Sequence, residues 1–101
     1  MQQMNAQYEG PLRITSSTMM NGMAAGDIIV DTDQHVMING TVVGDVIIEA
    51  GSLVDVNGTV KGAVLNKGAT VTIAGVVGAV NDSVGASTHI AIGAIIRGQR
   101  R

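Results

Sequence analysis

The 101-residue sequence has no cysteine, no phenylalanine and no tryptophan, and Tyr8 is its only aromatic residue. The lack of cysteine excludes disulfide bonds, thiolate zinc sites and cysteine nucleophiles, and it fits a reducing compartment. Without large rings, the core must be filled by smaller side chains. Hydrophobic residues still make up 46% of the chain and glycine occurs 14 times. Because many of the apolar residues are β-branched, strands are favoured over helices.

Charge is also scarce, since charged residues make up 14% of the chain and the net charge is −2. A nucleic-acid-binding surface is normally strongly basic, so we expect no nucleic-acid partner. No run of the sequence approaches the roughly 20 apolar residues that cross a bilayer as a helix. Residues 1–7 lack the basic and apolar regions of a secretion signal. We therefore expect a cytoplasmic protein.

An internal repeat dominates the sequence. The segment 21–30, which begins with Asn-Gly, recurs with an 18-residue period over 39–48 and again over 57–66. A fourth copy over 74–80 arrives one position early, after a 17-residue step, and a fifth, less regular copy spans 90–98. A unit of this length is too short for two helices but fits one coil of a β-helix, with three short strands and three corners. The repeat predicts an all-β, single-stranded β-helix (solenoid) of about five coils over residues 12–98.

The alignment of the copies also predicts which side chains point inward. Successive coils of a β-helix lie about 4.8 Å apart, so each aliphatic residue stacks on its equivalents. Glycines mark the corners, and we expect the Asn-Gly pairs there because both residues tolerate a positive φ. The predicted inward columns are Met20, Ile38, Val56, Ile73 and Ile90; Val36, Val54 and Val71; and Ile28, Val46, Val64 and Val80.

The two ends of the chain fall outside the repeat. Residues 1–11 are polar and are expected to form a flexible tail, with weak contact to a membrane or a neighbouring subunit through Met1, Met4 and Tyr8 as the alternative. Residues 99–101 form a basic C-terminal end. Together with Arg97, this end contains three arginines, which indicate a solubilising end rather than a phosphate-binding site.

The phrases Ile38-x-Gly40-x-Val42-x-Gly44-x-Val46 and Val56-x-Gly58-x-Val60-x-Gly62-x-Val64 resemble the repeats of the bactofilins, bacterial polymer-forming cytoskeletal proteins. The resemblance covers roughly residues 12–98. It implies a right-handed, triangular β-helix that assembles end to end without nucleotide. It also implies disordered tails on both sides of the β-helix and a role in cell shape or in localising other proteins.

The period alone does not fix the handedness, because an 18-residue coil is also three hexapeptides. The left-handed β-helix of hexapeptide acyltransferases is therefore an alternative, and aliphatic residues partly fit its pattern. The 17-residue step from Gly58 to Gly75 breaks that pattern, and Val46 and Val64 have no inward place in it. The alternative fits at Ile38, Val42, Ile48, Val54, Val56 and Val60.

Such an acyltransferase needs a histidine as general base, and the only histidines are His35 and His89. They lie about three coils apart along the repeat, so we expect both at the surface. Asp27 and Asp45 occupy equivalent corner positions in adjacent coils. They are interpreted as two solvated carboxylates, with a weak cation site as the alternative. We expect no catalytic, cofactor or metal site.

Self-association is the leading hypothesis for function, and a rigid binding module for a protein partner is the alternative. The end of a β-helix has unpaired backbone groups that a second copy can pair. At the C-terminal end, the predicted contact residues are Ile90, Ile92 and Ile95. If Ile28, Val46 and Val64 point inward, the residues that follow them point outward. That alternation predicts a lateral interface at Ile29, Ile47 and Leu65.

Overall fold

A computed structural model describes residues 2–5, 7–83 and 85–96, and every regular element in this part of the chain is a β-strand. The strands fall on three faces, which the chain visits in turn. The first face carries β1 (Gln2–Met4), β4 (Thr18–Met20), β7 (His35–Ile38), β10 (Leu53–Val56), β12 (Thr70–Ile73) and β14 (Ser87–Ile90). The second carries β2 (Gln7–Tyr8), β5 (Met23–Ala24), β8 (Thr41–Val42), the start of β11 (Thr59–Asn66), the start of β13 (Val76–Asp82) and β15 (Ile95–Ile96). The third carries β3 (Leu12–Ile14), β6 (Ile28–Val30), β9 (Val46–Ile48) and the ends of β11 and β13.

Each strand between the first and last coils pairs in parallel with a strand of the neighbouring coil, as in the sheet of the first face. The first face is a continuous sheet in the order β1-β4-β7-β10-β12-β14. In the middle of this sheet, β10 pairs with β7 on one side and β12 on the other. Because every coil passes through the same three faces, the prediction of an all-β solenoid of about five stacked coils is confirmed.

The solenoid begins earlier than the repeat indicated. Within residues 1–11, which were predicted to form a flexible tail, β1 pairs with β4 and β2 pairs with β5. The next strand, β3, pairs with β6. These strands form an additional coil that the alignment missed, because it contains neither an Asn-Gly pair nor the regular spacing of glycines. The predicted basic end at 99–101, like Met1 and Arg97, lies outside the described residues.

The inward columns are confirmed by the strand register. Val54 pairs with Val36 and Val71, and all three are fully buried. The column that begins at Met20 and the column that begins at Ile28 continue through the coils as predicted. Two more inward columns were not predicted. They contain Ala24, Val42, Val60 and Val77 on the second face, and Ile14, Val30, Ile48 and Asn66 on the third.

The shorter repeat, with its 17-residue step, has a local structural cause. Between β11 and β13, the register shifts after Val60, so that the next aligned pair is Ala63 with Ala79. Lys61 and Gly62 therefore lie opposite Gly78 alone, which is the arrangement of a β-bulge. The bulge absorbs the missing residue, and the inward column continues from Val64 to Val80.

The Asn-Gly corners have a different basis from the one expected. At 39–40 and 57–58 neither residue has a positive φ, so conformational freedom is not the reason for the pair. The glycines are required because a Cβ at Gly40 or Gly58 would overlap the carbonyl oxygen of the glycine one coil below. The asparagines form a ladder in which Asn57 Nδ2 donates to Asn39 Oδ1 at 3.1 Å and Asn39 Nδ2 donates to Asn21 Oδ1 at 3.1 Å.

Positive φ occurs at another corner, immediately before the first face. Gly51, Gly68 and Gly85 have φ values of 81°, 129° and 85°. Asp33 occupies the equivalent position one coil earlier with a φ of 61°. Aspartate is one of the few non-glycine residues that enter this region, which explains why the repeat tolerates it there.

Candidate self-association surfaces

The N-terminal end of the solenoid has free strand edges. Within the described residues, β1, β2 and β3 each pair with the second coil on one side only. Met4 and Leu12 pack against the core but remain partly exposed. A cleft of about 240 Å³ opens beside Met4, Leu12, Ile14 and Thr18. This end therefore combines unpaired backbone groups with incompletely covered apolar side chains.

The C-terminal end is also open among the described residues, where β14 pairs only with β12 and β15 only with β13. The three residues predicted to make end contacts lie in different positions. Ile90 points inward on top of Ile73 and is half-buried, whereas Ile92 lies between strands and is wholly exposed. Ile95 is on β15 and is 53% exposed. Ile96, which was not among the predicted contact residues, packs against the core.

At one corner near the C-terminal end, a polar side chain occupies the interior of the solenoid. Asn66 occupies an inward position that aliphatic residues fill in the coils below, and it is fully buried. Its Oδ1 accepts hydrogen bonds from the backbone N–H groups of Gly68 at 3.2 Å and Ala69 at 2.7 Å. Its Nδ2 donates to Thr88 Oγ1 at 3.0 Å, and Thr88 Oγ1 donates to Asp82 Oδ1 at 2.5 Å. The network satisfies the buried amide, whose burial would otherwise be costly.

The predicted lateral stripe lies on the third face. Ile29, Ile47 and Leu65 pair with one another in successive coils, and all three are partly exposed. Arg13 precedes them in the column and Asn81 follows them. The Arg13 guanidinium bonds to Asp31 Oδ1 at 3.2 Å at the edge of this face. The stripe is therefore a contiguous apolar surface with polar residues at both ends.

The corner carboxylates of Asp27 and Asp45 accept hydrogen bonds from backbone N–H groups of the next coil. Asp27 Oδ1 accepts the Asp45 N–H at 2.8 Å, and Asp45 Oδ1 accepts the Ala63 N–H at 2.8 Å. Each carboxylate thus replaces a backbone acceptor in the ladder. A Cβ at Gly44 or Gly62 would collide with the carboxylate oxygen of the aspartate one coil below, which explains the glycine at these two positions. In the described part of the chain, no three histidine, aspartate or glutamate side chains converge as metal ligands.

The two histidines are not brought together. Both lie on the first face, but His35 shares a column with Leu53, whereas His89 shares one with Thr72. His35 Nε2 lies 3.6 Å from Asp55 Oδ2. No helix among the described residues has the length and apolarity to cross a membrane.

Comparisons with known proteins found no matching family model, curated protein or solved structure. The resemblance to bactofilins therefore depends on the repeat phrases alone.

Proposed function

We propose that this chain is a structural protein that associates with further copies of itself through the ends of its solenoid, as the resemblance to bactofilins implies. The observation that carries the proposal is the state of the two ends. Both have strand edges without a partner in the described residues, and both leave core-packed side chains partly uncovered. Natural proteins usually block such edges, because an exposed edge recruits another strand.

Association of this kind requires no nucleotide. A second copy supplies N–H and C=O groups to the free edges, and its own end covers apolar side chains such as Met4 and Leu12 at one end or Ile96 at the other. The free energy then comes from backbone hydrogen bonds and from burial of apolar surface, at about 25 cal/mol per Å². The same interactions already hold one coil to the next within the chain.

Light scattering coupled to size-exclusion chromatography tests the proposal. We expect the mass of the wild-type species to increase with protein concentration. Replacing both Ile92 and Ile95 by lysine should weaken this association at least about tenfold without lowering the melting temperature, since both side chains are exposed. The matched control is Leu53→Lys, an exposed aliphatic residue in a central coil, which should associate like the wild type.

A monomer at every concentration contradicts self-association. Equal loss of association in the Leu53→Lys control contradicts the assignment to the C-terminal end.

A second function, lateral binding, is favoured by the stripe of Ile29, Ile47 and Leu65. Contiguous aliphatic surface on adjacent coils is typical of an interface, whereas single exposed aliphatic residues are ordinary. The partner is a second copy of this chain or another protein. In both cases the contact leaves the solenoid ends free, so end and side interactions are separable.

Ile47→Lys tests the lateral contact. Because Ile47 points away from the core, the melting temperature should change by no more than a few degrees. Side-by-side association in electron micrographs should disappear while end-to-end association persists. A large loss of stability in the isolated subunit contradicts the assignment of Ile47 as an outward residue.

A further inference from the structure

Two methionines lie side by side on the outer surface of the first face. Met19 on β4 pairs with Met37 on β7, and both are half-buried. The alternation of the strands requires them to point outward, because their neighbours Met20, Val36 and Ile38 are fully buried. These two thioethers are not part of the buried core.

An imidazole and a carboxylate lie next to the methionine pair. His35 is two residues before Met37 on the same strand, so it emerges from the same side of the sheet at a distance of about 6.6 Å along the strand. Asp55 pairs with Met37 from the coil above. Met37 is therefore the common neighbour of Met19, His35 and Asp55.

His35 has an unsatisfied ring nitrogen. Its Nε2 is buried and has no hydrogen-bond partner, although the rest of the side chain is substantially exposed. The nearest charged atom is Asp55 Oδ2 at 3.6 Å, beyond hydrogen-bonding distance. A buried polar atom without a partner is unfavourable, so this nitrogen is available to a ligand.

We propose that Met19, Met37 and His35 form a binding site for a soft monovalent cation with a filled d shell, of which Cu(I) is the biological example. Thioether sulfur is a soft, uncharged ligand that selects Cu(I) over Mg²⁺ or Ca²⁺, and imidazole nitrogen also binds copper. The carboxylate of Asp55 provides a negative charge beside the site, which offsets the charge of the ion. The proposal is independent of self-association.

The spacing of Met19, Met37 and His35 suits the binding of one soft cation. Residues paired in adjacent coils have Cα atoms about 4.8 Å apart, and the flexible methionine side chain lets two sulfur atoms converge on one ion between them. The parallel stack fixes the backbone positions of all three ligands before the ion binds. Binding then requires only side-chain rotation, in which the His35 ring turns from Asp55, in the coil above Met37, toward the two sulfur atoms.

Silver(I) is the probe for the test, because it shares the ligand preference of Cu(I) without its redox chemistry. Titration calorimetry of the full chain with Ag(I) should show a single tight site. Met19→Leu and Met37→Leu should each weaken this site at least about tenfold, since leucine has similar volume but no sulfur. His35→Gln should weaken it similarly.

The matched controls are Met23→Leu and His89→Gln. Met23 is an exposed methionine on the second face, and His89 is an exposed histidine two coils above Asp55 on the first face. Neither substitution should change the affinity of the protein for Ag(I). Selective isotope labelling of the methionine methyl groups provides a second readout, in which the resonances of Met19 and Met37 should shift with Ag(I) while that of Met23 does not.

Unchanged binding in the Met19→Leu, Met37→Leu double variant overturns the proposal, as does an equal loss in the Met23→Leu control. Because the methyl resonances also report an intact fold, a variant that fails to fold is distinguished from one that has lost the ion.

Discussion

At the scale of single residues, stability comes from identical side chains stacked in columns. Val54 has Val36 below it and Val71 above it, and each of these side chains is fully buried. Burial of a valine contributes about 1.5–3 kcal/mol relative to an exposed one. A chain without phenylalanine or tryptophan can therefore form a continuous core, provided that the columns stay in register.

Val54→Asp should consequently unfold the domain. The carboxylate would lie between two valines, and no cation is buried in the described part of the chain, so the cost is at least about 4 kcal/mol. Leu53→Asp is the matched control, since Leu53 is the preceding residue on the same strand and is 41% exposed. Thermal melts followed by circular dichroism should show loss of the cooperative transition in the first variant and a shift of only a few degrees in the second. Similar melting temperatures would show that the inward columns are wrongly assigned.

At the scale of strands and corners, the glycines have two distinct roles. Gly58 lets the chain pass close to the carbonyl oxygen of Gly40 one coil below, whereas Gly85 provides a positive φ in open space. The first role depends on the coil beneath, and the second depends only on the local backbone. The two corners should therefore differ in their tolerance of a methyl group.

Gly58→Ala should destabilise the protein more than Gly85→Ala. At position 58 the added Cβ meets backbone atoms that cannot move without separating two coils. At position 85 no atom lies within 4 Å, so the cost is limited to backbone strain of about 1–2 kcal/mol. Chemical denaturation of the two variants measures the difference. An equal or reversed order of stability would contradict the close approach of the coils at Gly58.

The sequence was sufficient to predict these elements where the repeat is regular. The columns through Ile38, Val54 and Val64 followed from the 18-residue spacing, because a fixed period leaves only one register for parallel coils. It was insufficient at the N-terminus, where β1 and β2 are recognisable only once the second coil supplies their hydrogen-bond partners.

The surface sites were less predictable than the core. The role of the Asn-Gly pairs was misassigned because a close contact with the neighbouring coil leaves no signal in one coil's sequence. The grouping of His35 with Met19 and Met37 follows from the repeat, because the two methionines lie one 18-residue period apart and His35 is two residues before Met37 on the same strand. The unpartnered Nε2 of His35 is visible only in the structure.

At the scale of the whole molecule, the solenoid is a structure whose internal contacts can continue beyond its ends. In the described part of the chain, all coils before the last are joined by parallel strand pairing on three faces, and the strand edges of the first coil are free on one side. Copies that stack coaxially would keep their strands perpendicular to the axis of the assembly. The repeat of about 4.8 Å between coils would then run along that axis.

Cryo-electron microscopy of the wild-type protein at increasing concentration is the direct test of end-to-end assembly. We expect filaments whose averaged images give a reflection at about 4.8 Å on the meridian, because the coils of successive subunits share one axis. Discrete particles of one or two chains at every concentration, or filaments whose reflection at about 4.8 Å lies off the meridian, would contradict end-to-end assembly.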